Sequence, residues 1–250
     1  MPSDHSPTII RPEWSLPVGV QALLTTRLGP GASLPPFDHF NLGSRCGDDA
    51  EAVVANRTAL ATLVGPRSPI LWLQQVHGTT VWDASEWDGR AEPVADAAVA
   101  HRSGVALAVL TADCLPLLLC SNDGRHIGVA HAGWRGLAAG VIERSVAAIG
   151  CAPSALRVWL GACIGSHSYE IDASVRDAFV RHDERADACF HHTRPGHWQC
   201  DLEQLARQRL AALGVSNVSG GGYDTARDPR FYSYRATTPT GRFASLIWIE

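Results

Sequence analysis

The segment 111-TADCLPLLLCSNDGRHIGVAHAGWRGLAAG-140 sets the pattern for the whole chain. Apolar runs separated by turn residues predict three buried strands, over residues 105–110, 115–120 and 127–130. Gly133 and Gly136 then mark a tight turn, and apolar residues at helical spacing predict one helix after it. Strands that lead directly into a helix indicate a fold that mixes sheets and helices.

The rest of the chain continues this alternation of elements. Further strands are predicted over residues 18–25, 69–76, 96–100, 156–162, 231–235 and 243–249, and helices over residues 50–64, 174–182 and 201–213. Asp49 and Asp201 are the predicted N-caps of two of these helices. Residues 185–200 are expected to form a histidine-rich loop. No repeat or linker interrupts the chain, so we predict one α+β catalytic domain over residues 17–250, preceded by a loose lead-in over residues 1–16.

Composition excludes several classes of protein. The chain has 250 residues, of which 46% are hydrophobic and 18% charged, as in globular proteins. A net charge of −4 provides no basic surface for nucleic acid or for membranes. No apolar run approaches the roughly 18 residues that a membrane span needs. We therefore expect a cytoplasmic protein, either a monomer or a small homo-oligomer, with no nucleic-acid or membrane partner.

The basic residues and the cysteines constrain the chemistry further. All 21 basic residues are arginine, which excludes a Schiff-base lysine, a pyridoxal-phosphate lysine and a P-loop lysine. An anionic substrate must then be held by arginine, by backbone amides or by a metal. The seven cysteines are odd in number and form no C-x-x-C pair, which favours free thiols in a reducing compartment.

Three residues at the ends of predicted strands form the strongest candidate site. His77, Cys114 and His131 each lie beside small or turn residues, where a side chain can face a cleft. Two histidines and one cysteine suit Zn²⁺, and three protein ligands leave a fourth position for water. The same residues are also compatible with a cysteine nucleophile and a histidine base, or with three hydrogen-bonded residues at strand ends.

Other groups have weaker signals. His191, His192 and His197 offer metal ligands, but their polar surroundings favour a solvated segment. The glycine turn over residues 161–165 has amides that an anion could contact. Asp113 is a candidate to orient a ligand, to act as a base or to make supporting hydrogen bonds.

Five segments together give the chain a resemblance to a known family. They are Phe40-Asn41-Leu42-Gly43 with Gly47-Asp48-Asp49, Gln75-Val76-His77-Gly78, Thr111-Ala112-Asp113-Cys114-Leu115-Pro116, Ala130-His131-Ala132-Gly133-Trp134-Arg135-Gly136, and Phe231-Tyr232-Ser233-Tyr234-Arg235 with Thr240-Gly241-Arg242. The chain resembles the bacterial laccase-domain family, whose members carry the names multicopper polyphenol oxidase and purine nucleoside phosphorylase.

The resemblance implies a fold and a metal site. The family fold is an α/β/β/α sandwich of mixed β-sheets, similar to the catalytic domain of cytotoxic necrotizing factor. The family's metal ligands correspond to His77, Cys114 and His131, which would bind one zinc ion and act as the catalytic residues. Copper is the alternative metal that the older family name suggests.

The resemblance also implies an activity. It predicts phosphorolysis of adenosine, inosine and methylthioadenosine, together with deamination of adenosine. Zinc lowers the pKa of bound water to about 7, which suits the deamination. With lysine absent, Arg27, Arg45 and Arg135 are candidates for holding phosphate, and Asn41, Arg45 and Arg135 are predicted to contact the substrate. The alternatives are a metal-free Cys-His hydrolase or amidase acting on cell-wall precursors, a copper-dependent polyphenol oxidase, and a metal-binding protein without turnover.

Overall fold

Two β-sheets packed face to face form the centre of the computed structural model, which describes residues 8–65 and 68–250. The strands, numbered in chain order, are β1 (Ile9–Ile10), β2 (Val20–Thr25), β3 (Ile70–Leu71), β4 (Val81–Asp83), β5 (Ala97–Ala100), β6 (Ala106–Thr111), β7 (Leu115–Ser121), β8 (Ile127–Ala132), β9 (Leu156–Leu160), β10 (Glu170–Asp172), β11 (Phe190–Arg194), β12 (His197–Cys200), β13 (Asn217–Gly220) and β14 (Phe243–Ile249). The helices are α1 (Ala50–Val64), α2 (Trp134–Ala139), α3 (Val141–Ala148), α4 (Ala173–Val180) and α5 (Leu202–Ala212).

Both large sheets are mixed, as the sequence predicts. The first has the strand order β1-β2-β14-β6-β3, and only β3 runs parallel to its neighbour. The second has the order β13-β9-β7-β8-β5-β4, with parallel pairs at both edges and antiparallel pairs between them. A small antiparallel sheet, β10-β12-β11, lies beside them.

The alternation of side chains along β7 shows how the layers pack. Leu118 packs into the core between the two sheets, whereas Leu117 and Leu119 pack into a second core that also contains residues of α3 and α5. On the other side, Leu60 and Val64 of α1 pack against the outer face of the first sheet. The layer order is helix, sheet, sheet, helix, in agreement with the predicted α+β sandwich. The likeness to the cytotoxic necrotizing factor domain stays a prediction.

The structure confirms both helix N-caps that the sequence predicts. Asp49 caps α1 by accepting a hydrogen bond from the Ala52 amide at 2.9 Å. Asp201 caps α5 in the same way, accepting from the Gln204 amide at 2.9 Å. Each carboxylate satisfies an amide that the first helical turn leaves without a backbone partner.

The prediction of a single helix after Gly133 is wrong. The chain forms two helices, because Gly140 has a φ of +98° and its amide donates to the Leu137 carbonyl at 3.3 Å. A left-handed residue of this kind ends a helix, and glycine adopts it without a steric cost. The result is that α2 is a separate short helix beside the candidate site.

The strand predicted over residues 69–76 is also shorter in the structure. Only the two residues of β3 pair with β6 through the backbone. Further along the chain, the side chain of Gln75 makes the hydrogen bonds to β6. Gln75 Nε2 donates to the Leu110 carbonyl at 2.7 Å, and the Leu110 amide donates to Gln75 Oε1 at 2.8 Å. The chain therefore leaves the sheet before His77 while staying bound to the end of β6.

Two further predictions of secondary structure are wrong. Residues 231–235 form an irregular segment that ends in a turn. Phe231 and Tyr232 are buried by packing while Tyr234 is exposed, and the Tyr232 hydroxyl donates to the Phe37 carbonyl at 2.7 Å. Residues 185–200 contain a 3-10 turn and the β11–β12 hairpin where a loop was expected. The residues of β11 after Phe190 are exposed, so hydrophobic alternation does not mark this strand.

The predicted lead-in is described in part. Residues 1–7 lie outside the described residues, and Ile9–Ile10 pair antiparallel with β2. Among the described residues, no helix has the length and hydrophobicity that crossing a membrane requires.

Two identical substitutions in α1 test whether this helix is part of the core. Leu60 is 0% exposed, whereas Leu63 is 50% exposed. We expect Leu60→Ala to lower the free energy of unfolding by about 2–5 kcal/mol, because it leaves a cavity against the first sheet. Leu63→Ala should cost less than about 1 kcal/mol, since little surface is lost from the core. Urea unfolding measures both, and equal losses would contradict this packing.

Candidate metal centre

The fold brings His77, Cys114 and His131 together, as the sequence predicts. Their ligand atoms all lie within 4.8 Å of one another, and within the described ranges this is the one such group of histidine, cysteine or carboxylate residues. Cys114 lies in the turn that precedes β7, and His131 lies near the end of the neighbouring strand β8, opposite Pro116. His77 approaches from the segment that leaves the first sheet after β3.

A buried carboxylate holds two of these three residues in place. Asp96 is 0% exposed, and its Oδ1 lies 2.8 Å from His131 Nδ1. Asp96 also accepts hydrogen bonds from the amides of Val76 at 3.1 Å, His77 at 2.9 Å and Gly78 at 2.7 Å. With Nδ1 of His131 engaged in this way, Nε2 is left to face the other two side chains. Such outer carboxylates orient metal-binding histidines in many proteins.

The turn that carries Cys114 is held by its neighbour Asp113. Asp113 has a φ of +94° and His77 a φ of +60°, a left-handed conformation that is uncommon for residues other than glycine. The Asp113 carboxylate accepts from the Thr225 hydroxyl at 2.6 Å and from the Arg235 amide at 2.7 Å. Of the three roles predicted for Asp113, the structure supports the hydrogen-bonding one. These contacts offset the strain of the turn, which is about 1–3 kcal/mol for such a residue.

The electrostatics of the centre favour a thiolate. Burial alone would raise the pKa of the Cys114 thiol, but His131 and His77 lower it to about 6. Burial alone would lower the pKa of His131, but Cys114 and Asp96 raise it to about 9. Near neutral pH the metal-free pair is therefore thiolate and imidazolium. A thiolate is the form in which cysteine binds metals, and His131 would release a proton on binding one.

The donor set and its spacing fit a zinc ion. Zinc binds nitrogen at about 2.1 Å and sulfur at about 2.3 Å in a tetrahedral arrangement, so two of its ligand atoms lie roughly 3.4–3.7 Å apart. The three ligand atoms lie within 4.8 Å of one another, so a pair at that separation would close by about 1 Å to hold the ion. No bulky group intervenes, because Gly133 lies against the cluster: a Cβ there would lie 2.6 Å from His77 Nδ1 and 2.9 Å from Cys114 Sγ.

The residues predicted to contact substrate lie in different environments. Asn41 is buried, and its amide group bonds Gly43, Cys46, Asp48 and Arg242. Arg45 forms an ion pair with Glu92 at 2.6 Å. Arg27 forms one with Asp38 at 2.8 Å. Arg135 stacks on the ring of Trp134 with its Cζ 4.5 Å from the ring centroid. Substrate contacts by Asn41, Arg45 and Arg135 stay predictions.

The other two candidate groups do not form comparable sites. His191, His192 and His197 lie on the β11–β12 hairpin and do not join a metal-binding group within the described residues. The amides of the glycine turn are used inside the protein: the Ile164 amide donates to the Asp113 carbonyl at 2.9 Å, and the Gly165 amide donates to the Asp224 carboxylate at 3.0 Å. This turn supports Asp113 and has little capacity left for an anion.

Sequence reasoning missed Asp96 and Gln75 as parts of the site. The signal for Asp96 was present, since it is a charged residue at the start of an apolar strand, where burial requires partners. Gln75 could have been noticed from its position two residues before His77, in the motif Gln75-Val76-His77-Gly78. Neither residue could be assigned its partners, because Leu110 and His131 are each 35 positions away in the chain.

A family model supports the resemblance stated above. The model described as multi-copper polyphenol oxidoreductase laccase matches residues 21–250. The chain is also 48% identical over 247 residues to a protein of Xylella fastidiosa named purine nucleoside phosphorylase, and the match covers 95% of each chain. A Pseudomonas aeruginosa protein, also named purine nucleoside phosphorylase, is 46% identical over 243 residues, covering 96% of this chain and 98% of the relative.

A solved structure matches the fold. The crystal structure of Neisseria meningitidis protein NMB0706 aligns with a TM-score of 0.94 and 40% sequence identity. The alignment covers 98% of this chain and 100% of that one. The two chains therefore share the whole α+β arrangement described above.

Replacing Asp96 with asparagine tests its role in the centre. Asparagine offers one acceptor oxygen in place of two, and its NH₂ group would face donors. We expect Asp96→Asn to weaken zinc binding by about 10- to 100-fold, as the loss of such outer partners does elsewhere. Competition with a chromophoric chelator measures the affinity, and circular dichroism checks the fold.

Asp49→Asn is the matched control for this substitution. Asparagine caps helices as well as aspartate does, so both the zinc affinity and the stability should match those of the unchanged protein. Unchanged zinc affinity in a folded Asp96→Asn protein would contradict the positioning role.

Proposed function

The chain belongs to the multi-copper polyphenol oxidoreductase laccase family, and we propose that it is a zinc-dependent purine nucleoside phosphorylase. The observation that carries the proposal is the convergence of His77, Cys114 and His131 in a chain whose relatives bear that enzyme name. The proposed substrates are adenosine, inosine and methylthioadenosine with inorganic phosphate.

The proposed reaction exchanges one bond at the sugar. The bond between C1′ of the ribose and N9 of the purine breaks, and a phosphate oxygen forms a new bond to C1′. The products are the sugar 1-phosphate (ribose 1-phosphate, or 5-methylthioribose 1-phosphate from methylthioadenosine) and the free base, which leaves with the bonding electrons and takes up a proton. Adenosine deamination is proposed as a second activity, in which water replaces the amino group at C6 and ammonia leaves.

The roles of the chain's own residues follow from their contacts. His77, Cys114 and His131 would hold zinc, which when bound supplies a Lewis acid and lowers the pKa of water. Asp96 keeps Nδ1 of His131 engaged, so that its other nitrogen faces the cluster. Asn41, Arg45 and Arg135 are proposed to contact the substrate.

The thiolate–imidazolium pair favours a second candidate, a metal-free Cys-His hydrolase. The lowered pKa of Cys114 and the adjacent His131 are features that such enzymes use for nucleophilic attack. The copper-dependent polyphenol oxidase suggested by the family description has less support. Laccase chemistry needs several coppers, and the described residues bring together one three-residue ligand group.

Product analysis across a phosphate series tests the proposed reaction. Protein purified without added metal is first analysed for its elements, and then incubated with adenosine or inosine with and without phosphate. We expect release of free base only with phosphate, because phosphate is the nucleophile at C1′, whereas inosine and ammonia should form from adenosine without it. Both activities should be lost on chelation and should return with zinc.

Two outcomes would contradict this proposal. Activity that survives verified removal of metal would favour the Cys-His hydrolase. Release of base without phosphate would indicate hydrolysis of nucleosides instead of phosphorolysis.

Cys114→Ser tests the dependence on the thiolate ligand. Serine keeps the size of the side chain but is a poor zinc ligand at neutral pH, so we expect loss of bound zinc and of turnover. The melting temperature should change little, because a zinc site with an open position contributes less to folding than a closed structural one. Cys151→Ser is the matched control, since Cys151 is half-buried and burial raises the pKa of its thiol. Zinc content that is equal in the two variants would contradict the ligand assignment.

A further inference from the structure

We infer that Arg235 binds the phosphate co-substrate beside the metal centre. This inference rests on the proposed phosphorolysis, which requires a site for an inorganic anion. Its basis is the attachment of the Arg235 backbone to the Cys114 turn, the manner in which the guanidinium is held, and the absence of a carboxylate partner for it among the described residues.

The backbone of Arg235 is attached directly to the turn that carries Cys114. Its amide donates to Asp113 Oδ2 at 2.7 Å, and Asp113 precedes Cys114 in the chain. The same carboxylate accepts from the Thr225 hydroxyl at 2.6 Å, so neither of these hydrogen bonds to Asp113 involves the guanidinium. The Arg235 side chain therefore starts from the edge of the candidate site.

The Arg235 guanidinium is held in one orientation, and no carboxylate among the described residues neutralises it. Its Nη1 donates to the backbone carbonyl of Glu170 at 2.9 Å, and its Cζ lies 5.1 Å from the centroid of the Tyr169 ring. The Glu170 carboxylate is itself engaged by Arg194 at 2.7 Å and by Thr193 at 2.8 Å. Within residues 8–65 and 68–250, Arg235 forms no ion pair, and its Nε and Nη2 have no hydrogen-bond partner.

The Tyr169 ring supports this guanidinium from one side, with Arg235 Cζ 5.1 Å from the ring centroid. An arginine stacked on an aromatic ring keeps its planar fork in one orientation, which suits bidentate binding of phosphate.

Two of the arginines considered from sequence are less suited to this role. Arg27 and Arg45 are each neutralised by an aspartate or glutamate. Arg135 has no carboxylate partner among the described residues and also stacks on an aromatic ring, that of Trp134, but within those residues no hydrogen bond attaches it to the Cys114 turn. Arg235 is the one of these four that is bonded to the Cys114 turn, and it is exposed, so an anion can reach it.

Arg235→Gln tests the inference in the zinc-loaded protein. We expect the KM for phosphate in phosphorolysis to rise roughly tenfold to hundredfold, as the loss of a charged hydrogen bond implies. The KM for the nucleoside should change less than about threefold, because the guanidinium is assigned to phosphate alone. Arg235→Lys keeps the charge without the planar fork, so its KM for phosphate should lie between those of the unchanged protein and Arg235→Gln.

Calorimetric titration with inorganic phosphate, without nucleoside, provides a readout that does not depend on turnover. The unchanged protein should bind phosphate, and Arg235→Gln should bind it at least tenfold more weakly. Arg181→Gln is the matched control: Arg181 follows the last residue of α4, its side chain is 81% exposed, and its loss removes the same charge. Arg181→Gln should leave both the KM for phosphate and the calorimetric phosphate affinity unchanged.

The outcomes separate this inference from the proposed function. Phosphate-dependent base release with an unchanged KM for phosphate in folded Arg235→Gln would overturn the role of Arg235 and leave the proposed function standing. Base release without phosphate would overturn the proposed function, and the calorimetric titration would then decide whether Arg235 binds the anion. Equal phosphate binding by Arg235→Gln and the unchanged protein overturns the inference in either case.

Discussion

The arrangement of the candidate metal centre depends on the buried carboxylate of Asp96. One side chain accepts hydrogen bonds from three consecutive amides of the His77 turn and from the ring of His131. The cost of burying its charge is large, and these four donors offset it. Because one carboxylate contacts both the His77 turn and the ring of His131 in β8, it sets the spacing between these two residues.

The turns around the centre are built so that backbone and ligand atoms can approach closely. Gly133 leaves the space that a Cβ would take from His77 and Cys114, and Gly136 lets α2 approach the Gly78 carbonyl, which a Cβ would meet at 2.7 Å. Gln75 binds the strand end that leads to Cys114. The segments carrying the three residues are thus joined by direct contacts, which favours a centre of fixed geometry.

Charge is distributed so that the protein can handle an anion without lysine. Arg27 and Arg45 are paired with carboxylates, and such pairs leave little field for a ligand. Arg235 differs because its guanidinium forms no ion pair among the described residues, while the Glu170 carboxylate is engaged by Arg194 and Asp113 accepts from Thr225 and from the Arg235 amide. An anion site beside a zinc ligand would place a nucleophile and a Lewis acid in one cleft, as the proposed phosphorolysis requires.

Local patterns in the chain were enough to predict most strands, the caps Asp49 and Asp201 and the three ligand candidates, because each depends on residues close together in sequence. The end of α2 at Gly140, the shortened β3 and the β11–β12 hairpin could not be predicted, since backbone conformation and pairing partners override weak periodicity there. The partners of Asp96 and Arg235 come from residues up to 35 and 122 positions away. Contacts at such distances form only once the sheets have packed. For this reason only the tertiary structure decides which carboxylate positions a candidate ligand and which arginine is left without a carboxylate partner.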